Sequence, residues 1–525
     1  MRVLTVLIAA TLLSGCAATE KETPAQDAPE TVVEDVTAPP PPPPEPEPEP
    51  EPEPDKAATP SPVRSMTPPV AVPDDDETIV ETAAVRTPGE CARLQQEGAR
   101  SGSDWISCVS VFYGTNRAEI SAATAKISSR SMKNKRGVDQ GDLFSIRPES
   151  RSKCEPSPID YSQTAHSKRV CHLGEVVVSI PDSRRELLAR GGGAVKEARS
   201  GARLSDRDLK KYFALLDHWS YDGDPDGFAD RIRAVIAASD PDEEHAFVFI
   251  HGFNVPFRSA AFRTAQLKYD MQIDGPAFFF SWPSNGNVLD YLSDQEDADL
   301  SVDALARYLR LVHDSVTTGE RPMKLHIIAH SMGTRVTAQA LARLNDFPVK
   351  PKFGHVVFAA GDLDSNLFEE WMGASAPLYD GVTIYTSRSD KALGFSGALR
   401  NLSSNMKFWG SKNDDEKKRI GFYSKKSTPA VFDMPGEDGA HRVKTIDVTK
   451  AAPFSFLFKI KHSTYAQSRS ITDDIRCLFD LPFSDPNQRS GQFRRLNKDD
   501  AHWVYDPNRA VVSGACQAAA AKTLP

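Results

Sequence analysis

Eight apolar segments of five or six residues are the feature that most constrains how this chain can fold. Several are almost continuously apolar instead of alternating with polar residues, which is typical of strands covered on both faces. The stretches between them carry apolar residues at helical spacing. Strands that alternate with helices favour a mostly parallel central sheet flanked by helices, so the sequence predicts an α/β fold. The predicted strands are residues 109–113, 175–180, 246–250, 277–281, 325–329, 356–360, 382–386 and 443–448.

Two helical stripes are regular enough to place helices between these strands. Ser301 immediately precedes the first stripe and is predicted to be its N-cap, because a serine oxygen can accept a hydrogen bond from the first turn. Residues 120–168 and 401–440 lack any such pattern and are interpreted as insertions. The first stripe is Val302, Leu305, Leu309, Val312 and Val316, and the second is Met332, Val336, Ala340 and Leu344.

The first 16 residues have a character of their own. Arg2 provides a positive start, residues 3–13 are apolar, and small residues precede Cys16. A run of about eleven apolar residues is too short to span a bilayer and is typical of a secretory signal. Its ending resembles the lipobox of bacterial lipoproteins, so we expect a lipoprotein signal peptide over residues 1–16 and lipidation at Cys16. Ala17 then implies the outer membrane; an ordinary signal peptide with a chance cysteine is the alternative.

Residues 17–88 are predicted to form a disordered, acidic, proline-rich linker. Residues 39–54 contain only proline and glutamate, a composition that stays extended and cannot build a packed core. Between residues 17 and 90 there are 18 acidic and four basic residues, while the whole chain has a net charge of −9. The predicted globular body, residues 89–525, is therefore nearly neutral. This argues against a dedicated nucleic-acid-binding protein.

Six cysteines remain when Cys16 is set aside. An even number of cysteines in an exported chain indicates disulfides, although the sequence alone does not choose among the possible pairings. Proximity along the chain favours three of them. None of the cysteines lies in a C-x-x-C pair, and we expect neither a metal site nor a cofactor. The favoured pairs are Cys91–Cys108, Cys154–Cys171 and Cys477–Cys516.

One turn stands out chemically. The predicted strand 325–329 leads into His330, Ser331, Met332 and Gly333, and a helical stripe follows at once. A strand, a sharp turn and a helix form the setting of a nucleophile elbow, in which small neighbours let the serine hydroxyl stand above the sheet. Gly333 meets that need, and Ala329 stands where a glycine is usual. Ser331 is therefore the candidate nucleophile.

A serine nucleophile needs a base, and the base needs an acid that orients it. In this arrangement the chain order is serine, acid, histidine. Asp390 follows the predicted strand 382–386, while Asp362 and Asp364 follow the preceding strand and compete for the acid's role. His462 lies in a loop between the last predicted strand and a helical stretch, where a final histidine is expected. The histidines beyond Asp390 are His441, His462 and His502.

The turn after the predicted strand 246–250 supplies the candidate oxyanion hole. His251 and Gly252 end this strand, so that backbone N–H groups are free to face a developing negative charge. We expect one N–H from Met332, directly after the nucleophile, and the other from Phe253 or Asn254.

The chain from about residue 109 to residue 478 resembles a branch of the α/β-hydrolase superfamily that is known as a domain of unknown function. The resemblance implies an α/β-hydrolase fold with a serine hydrolase triad, and it favours Asp390 over Asp362. It implies no particular substrate. The matching motifs are residues 112–117, 251–255, 280–284, 329–333, 389–393 and 462–463.

Two functions follow as hypotheses. The first is a serine hydrolase that cleaves a small-molecule or lipid acyl ester while a lipid anchor holds it to the cell envelope. The second is a non-catalytic envelope lipoprotein that uses the same fold to bind a partner. Residues 394–426, which include the apolar Phe408 and Trp409, are predicted either to wall the acyl pocket or to pack on the side of the domain.

Overall fold

A computed structural model describes the globular part of the chain with several gaps. All of the described residues fall within one compact unit, Ile79–Pro525. The signal peptide, Cys16 and the linker lie outside them, as do most of the two predicted insertions. The described residues are 89–100, 107–120, 138–139, 143–148, 172–189, 197, 203–284, 291–388, 419–423, 428–432, 434, 442–451, 464–496 and 501–509.

An 11-stranded, mostly parallel sheet forms the centre of this unit. Its strands in chain order are β1 (Ser107–Thr115), β5 (His172–Ile180), β7 (Ala214–Ser220), β8 (His245–Ile250), β9 (Ala277–Ser281), β10 (Lys324–His330), β11 (Phe353–Ala359), β12 (Tyr379–Thr386), β13 (Val443–Asp447), β14 (Phe493–Arg495) and β15 (His502–Tyr505). Two small ribbons lie outside the sheet, one from β2 (Arg117–Glu119) and β4 (Phe144–Pro148), the other from β3 (Val138–Asp139) and β6 (Arg203–Leu204).

The strand order across the sheet is β14-β15-β13-β12-β11-β10-β8-β9-β1-β5-β7. Pairing is parallel from β15 through to β1, and antiparallel only where β14, β5 and β7 join at the two sides. The predicted α/β fold and all eight predicted strands are thereby confirmed. β7, β14 and β15 were not predicted, and all three lie near a sheet edge.

Helices cover both faces of the sheet. They are α1 (Glu90–Arg100), α2 (Asp182–Ala189), α3 (Asp206–Leu209), α4 (Pro225–Ala238), α5 (Phe257–Met271), α6 (Tyr291–Leu300), α7 (Val302–Thr317), α8 (Gly333–Leu344), α9 (Ser365–Ala374), α10 (Thr464–Gln467), α11 (Arg469–Asp480) and α12 (Pro486–Arg489). No helix in these ranges is long and apolar enough to cross a bilayer.

Two apolar cores form because successive side chains of each strand point to opposite faces. On β8, Ala246, Val248 and Ile250 join the core beneath α4, α7 and α8. Phe247 and Phe249 join the other core, beneath α5 and α11. Burial on both faces explains why the central strands are continuously apolar in sequence.

The predicted cap at Ser301 is wrong in its contacts, although α7 does begin at the next residue. Ser301 has helical dihedral angles, φ −87° and ψ −7°, and makes no side-chain capping bond. Its hydroxyl instead donates to the Asp297 carbonyl at 2.6 Å and accepts from Asn116 at 2.9 Å. The reason is that α6 ends at Leu300, so Ser301 continues one helix into the next and lacks the extended backbone that capping requires.

A disulfide joins Cys91 on α1 to Cys108 on β1, as predicted. Cys477 on α11 is also disulfide-bonded. Its predicted partner Cys516, like Cys154 and Cys171, lies outside the described residues, so these two pairings stay predictions.

Candidate active site

Ser331 occupies the turn between β10 and α8. Its φ is +53°, a left-handed conformation that is uncommon for any residue except glycine. Three backbone hydrogen bonds of 3.0 Å fix it: its N–H donates to the Ala359 carbonyl, and its carbonyl accepts from Thr334 and Asp362. Such a conformation persists only where the surroundings determine it, and it is frequent at active sites. The predicted strand, turn and helix around Ser331 are therefore present.

The serine turn packs directly against the turn that follows β8, and two glycines make this approach possible. A Cβ atom on Gly333 would lie 2.4 Å from the His251 carbonyl oxygen. A Cβ atom on Gly252 would lie 2.7 Å from the Cβ of Ser331. Since neither site has room for a side chain, the two turns that carry the candidate nucleophile and the candidate oxyanion hole remain in contact.

The two candidates for the second oxyanion-hole donor, Phe253 and Asn254, differ in the contacts of their N–H groups. The N–H of Asn254 donates to Ser284 Oγ at 2.7 Å, so it already has a partner. Across the described ranges, neither the N–H of Phe253 nor that of Met332 donates a hydrogen bond to another protein group. The geometry therefore favours Phe253 over Asn254 as the second donor, beside Met332.

His251 lies beneath this turn as a fully buried, neutral ring. Its Nδ1–H donates to the Gly252 carbonyl at 2.8 Å, which leaves Nε2 as an acceptor. The ring stacks on Trp282, with centroids 5.1 Å apart, and the Trp282 indole donates to the His251 carbonyl. Burial, reinforced by the positive charge of Arg117, lowers the pKa of His251 to about 3. A ring that stays neutral and engaged in this way acts as a support for the turn.

The competing acids follow β11 and are both engaged in structural contacts. Asp364 caps α9, accepting a hydrogen bond from the Asn366 N–H at 3.0 Å. Asp362 is 2% exposed and accepts a hydrogen bond from the Tyr291 hydroxyl at 2.5 Å. Its other carboxylate oxygen lies 3.3 Å from Arg419.

The remaining triad candidates, Asp390 and His462, lie outside the described residues, as does His441. The elements that flank them are described: β12 ends at Thr386, and α10 begins at Thr464. His502, the other histidine considered, begins β15 at the side of the sheet. The structure thus describes Ser331, Phe253 and Met332 together, and the roles of Asp390 and His462 stay predictions.

Three further residues lie at this edge of the sheet and were not predicted from the sequence: Tyr291, Arg419 and Asp447. The Tyr291 ring packs edge-on against Phe253 with centroids 5.6 Å apart, and its hydroxyl reaches Asp362. Asp447 ends β13 and accepts hydrogen bonds from Tyr423 at 2.6 Å and from the Thr449 N–H at 2.8 Å. No sequence pattern marks Tyr291 or Arg419, because their partners are distant in the chain. Asp447 at a strand end was the one available signal.

The described parts of the chain contain no cluster of metal-binding side chains. No group of three or more histidine, cysteine, aspartate or glutamate side chains there could hold a metal ion.

Comparisons with known proteins agree with this architecture. Residues 229–476 match the sequence profile of a family described as alpha/beta hydrolase of unknown function (DUF900). An uncharacterised protein of Nostoc sp. (strain PCC 7120) is 32% identical over 133 residues, which are 21% of this chain and 34% of that relative. The chain thus matches about a third of that relative's length.

Three solved structures are also similar, at low identity. They are the ydeN gene product of B. subtilis (15% identity, 31% of this chain, 81% of that chain, TM-score 0.21), a provisionally named cell surface hydrolase of Lactobacillus plantarum (12%, 47%, 95%, 0.24) and a lipase-esterase related protein of Clostridium acetobutylicum (12%, 30%, 83%, 0.16).

The profile covers the sheet from β8 to β13, the serine turn and the neighbouring turn after β8. Residues 229–476 therefore match the profile of this family, whose function is unknown, and the described part of the chain has an α/β-hydrolase fold.

Proposed function

We propose that the protein is a serine hydrolase that cleaves carboxylic esters through Ser331, His462 and Asp390. The observation that carries this proposal is the left-handed turn at Ser331, held between the ends of β10 and β11 and against Gly252. A binding protein has no need of a serine in a strained conformation, whereas a nucleophile at the end of a parallel sheet does.

In this mechanism the Ser331 oxygen forms a bond to the ester carbonyl carbon while its proton passes to His462. The negative charge that develops on the carbonyl oxygen is stabilised by the N–H groups of Phe253 and Met332. The bond to the alcohol then breaks, His462 returns the proton to the leaving oxygen, and an acyl-enzyme remains. Water, activated by the same histidine, releases the acid, and Asp390 orients the histidine throughout.

A fluorophosphonate probe tests the proposal, because it phosphonylates activated serines with loss of fluoride. Wild-type protein should be labelled, and Ser331→Ala should not. Ser315→Ala is a matched control, since among the described residues this buried serine on α7 donates its side-chain hydrogen bond within its own helix, to the Leu311 carbonyl. If folded wild-type protein is not labelled, the hydrolase proposal fails and the non-catalytic binding lipoprotein becomes the better hypothesis.

We also propose that Cys16 carries the lipid that anchors this hydrolase in the bacterial cell envelope, at the outer membrane. Support comes from the short apolar run that precedes it and from the small residues at its end. Mass spectrometry of the membrane fraction should find an acylated cysteine at the mature N-terminus. In Cys16→Ala this modification should be lost. A mature chain that is unmodified in wild type would contradict the anchor.

A further inference from the structure

The turn after β8, residues 251–255, carries the Phe253 N–H, and the segment that follows β9 fixes one side of it. Trp282 donates to the His251 carbonyl at 2.8 Å. Ser284 accepts from the Asn254 N–H and in turn donates to Asp294 at 2.6 Å. Asn254 itself has a left-handed φ of +58°. Because the turn is strained, its shape depends on contacts made by neighbouring segments.

Arg117, the first residue of β2, binds both ends of the same turn. Its Nη2 donates to the Val255 carbonyl at 2.7 Å and lies 3.4 Å from the acceptor Nε2 of His251. Its Nε donates to Ser281 Oγ at 2.8 Å, and its Nη1 to the Ser145 carbonyl at 3.3 Å. One guanidinium thus connects the turn after β8 to the end of β9 and to β4.

The complete burial of Arg117 indicates that the hydrogen bonds of its guanidinium have a specific role. The residue is 0% exposed, yet within the described part of the chain no carboxylate forms a hydrogen bond or ion pair with it. Burial lowers its pKa to about 9, so the side chain is still charged at neutral pH. Burying a charge is costly, and an apolar residue could fill the same space at lower cost. What an apolar residue cannot supply is a rigid set of donors.

We propose that Arg117 is a positioning residue of the hydrolase site, which holds both ends of the 251–255 turn so that the Phe253 N–H faces the oxyanion. The inference rests on the proposed function. Lysine cannot replace it, because an ammonium places all of its donors on one atom and cannot reach Val255, His251 and Ser281 together.

Arg117→Lys tests this assignment, with p-nitrophenyl acetate and a fluorophosphonate as probes. A misplaced oxyanion donor weakens transition-state binding more than substrate binding. We therefore expect kcat to fall about 10- to 100-fold while KM changes less than about threefold. The rate of labelling by the fluorophosphonate should fall by a similar factor. A purely structural role would lower the melting temperature without this split between kcat and KM.

Arg184→Lys is the matched control. Arg184 is 1% exposed and pairs with Asp270 near the end of α5, away from the serine turn. This variant should melt at a lower temperature and keep the wild-type kcat. If Arg117→Lys does not fold, Ser281→Ala decides, since it removes the acceptor of the Arg117 Nε and should lower kcat several-fold.

Four outcomes overturn the inference. A folded Arg117→Lys with wild-type kcat does so, as does a folded Ser281→Ala with unchanged kcat when Arg117→Lys fails to fold. A rise in KM alone would assign Arg117 to substrate binding instead. Absence of labelling in the wild type would overturn the proposed function itself, and this inference with it.

Discussion

Asp362, an acidic residue that is hydrogen-bonded to the serine turn, has its carboxylate engaged by other side chains. Asp362 contributes its N–H to the Ser331 carbonyl, while its carboxylate is shared between Tyr291 and Arg419. A carboxylate enclosed in this way stabilises the turn and is poorly placed to orient a mobile histidine. These contacts favour Asp390, the acid that the family resemblance implies.

Asparagine variants of Asp390 and Asp362 should differ in their effects on kcat and on stability. Asp390→Asn should keep the fold and lower kcat by up to about 10⁴-fold, because the histidine is no longer oriented or stabilised as a cation. Asp362→Asn should lower kcat much less and reduce the free energy of unfolding, because Arg419 loses its partner in a buried site. Ester hydrolysis and urea denaturation measure the two effects. The reverse ranking in kcat would move the triad acid to the end of β11.

A substitution at Gly333 tests the close approach between the serine turn and the turn after β8. Gly333→Ala should destabilise the protein and abolish fluorophosphonate labelling, because the new Cβ would lie 2.4 Å from the His251 carbonyl oxygen and 2.8 Å from that of Ile250. Gly373→Ala on α9 is the control, since its Cβ would meet only Met434 at 3.7 Å. The control should be neutral or stabilised by up to about 1 kcal/mol. Equal melting temperatures for the two variants would contradict the close approach of the turns.

Among the secondary-structure elements, the strands that are buried on both faces could be predicted from the sequence, because such burial requires apolar residues along the whole strand. β8 and β10 are continuously apolar because helices cover both sides, and that signal is local. The short β14 and β15 carry no such signal, since their pairing depends on the sheet edge to which they are added. The choice of Phe253 over Asn254 depends on Ser284, 30 residues away. Ser301 was misassigned because a cap and a junction between two helices share one sequence pattern.

Three adjacent strands, β8, β10 and β11, each carry a buried histidine within their first three residues, and no sequence pattern connected these histidines. His326 on β10 accepts the His355 N–H at 2.9 Å, so its other nitrogen donates to His245 at 3.1 Å; His245 in turn donates to Asp480 at 3.0 Å. The His326 ring stacks on Phe479 with centroids 3.8 Å apart. Burial, with the neighbouring His245 and His355, lowers the pKa of His326 well below its usual value, and burial does the same for His355.

These histidines make stability depend on pH. His251, His326 and His355 are neutral when folded, whereas in the unfolded chain each takes up a proton below about pH 6.5. The unfolded state then binds more protons, so stability falls as the pH falls through this value. Between pH 7.5 and 5.5 each group should remove about 1.4 kcal/mol, or about 4 kcal/mol together.

Urea denaturation at pH 7.5, 6.5 and 5.5 measures this loss. The comparison variant is His326→Asn, which keeps an acceptor for the His355 N–H and should lose about a third of the pH dependence. Parallel curves for the variant and the wild type would show that His326 is not neutral in the folded state.

Composition distinguishes the globular body of the molecule from the sequence that precedes it. Removal of residues 39–54 should leave the melting temperature and the fluorophosphonate labelling rate unchanged, because a segment of proline and glutamate has no apolar surface to bury. Differential scanning calorimetry of the deletion variant checks this. A melting temperature several degrees lower would show that the segment packs on the domain, and the spacer interpretation would be wrong.

The disulfide between Cys91 and Cys108 would have a mechanical consequence under the proposed anchoring at the N-terminal side. Tension applied at residue 89 would reach β1 through this bond without first stretching the residues between the two cysteines. β1 is hydrogen-bonded to β5 along nine residue pairs and to β9 along four, so the load would be shared by both ladders. In the reduced protein the same pull would act on α1, whose first N–H groups are held by Asp217. Reduction would therefore convert a stiff attachment into an extensible one, with the serine turn unaffected until β1 itself yields.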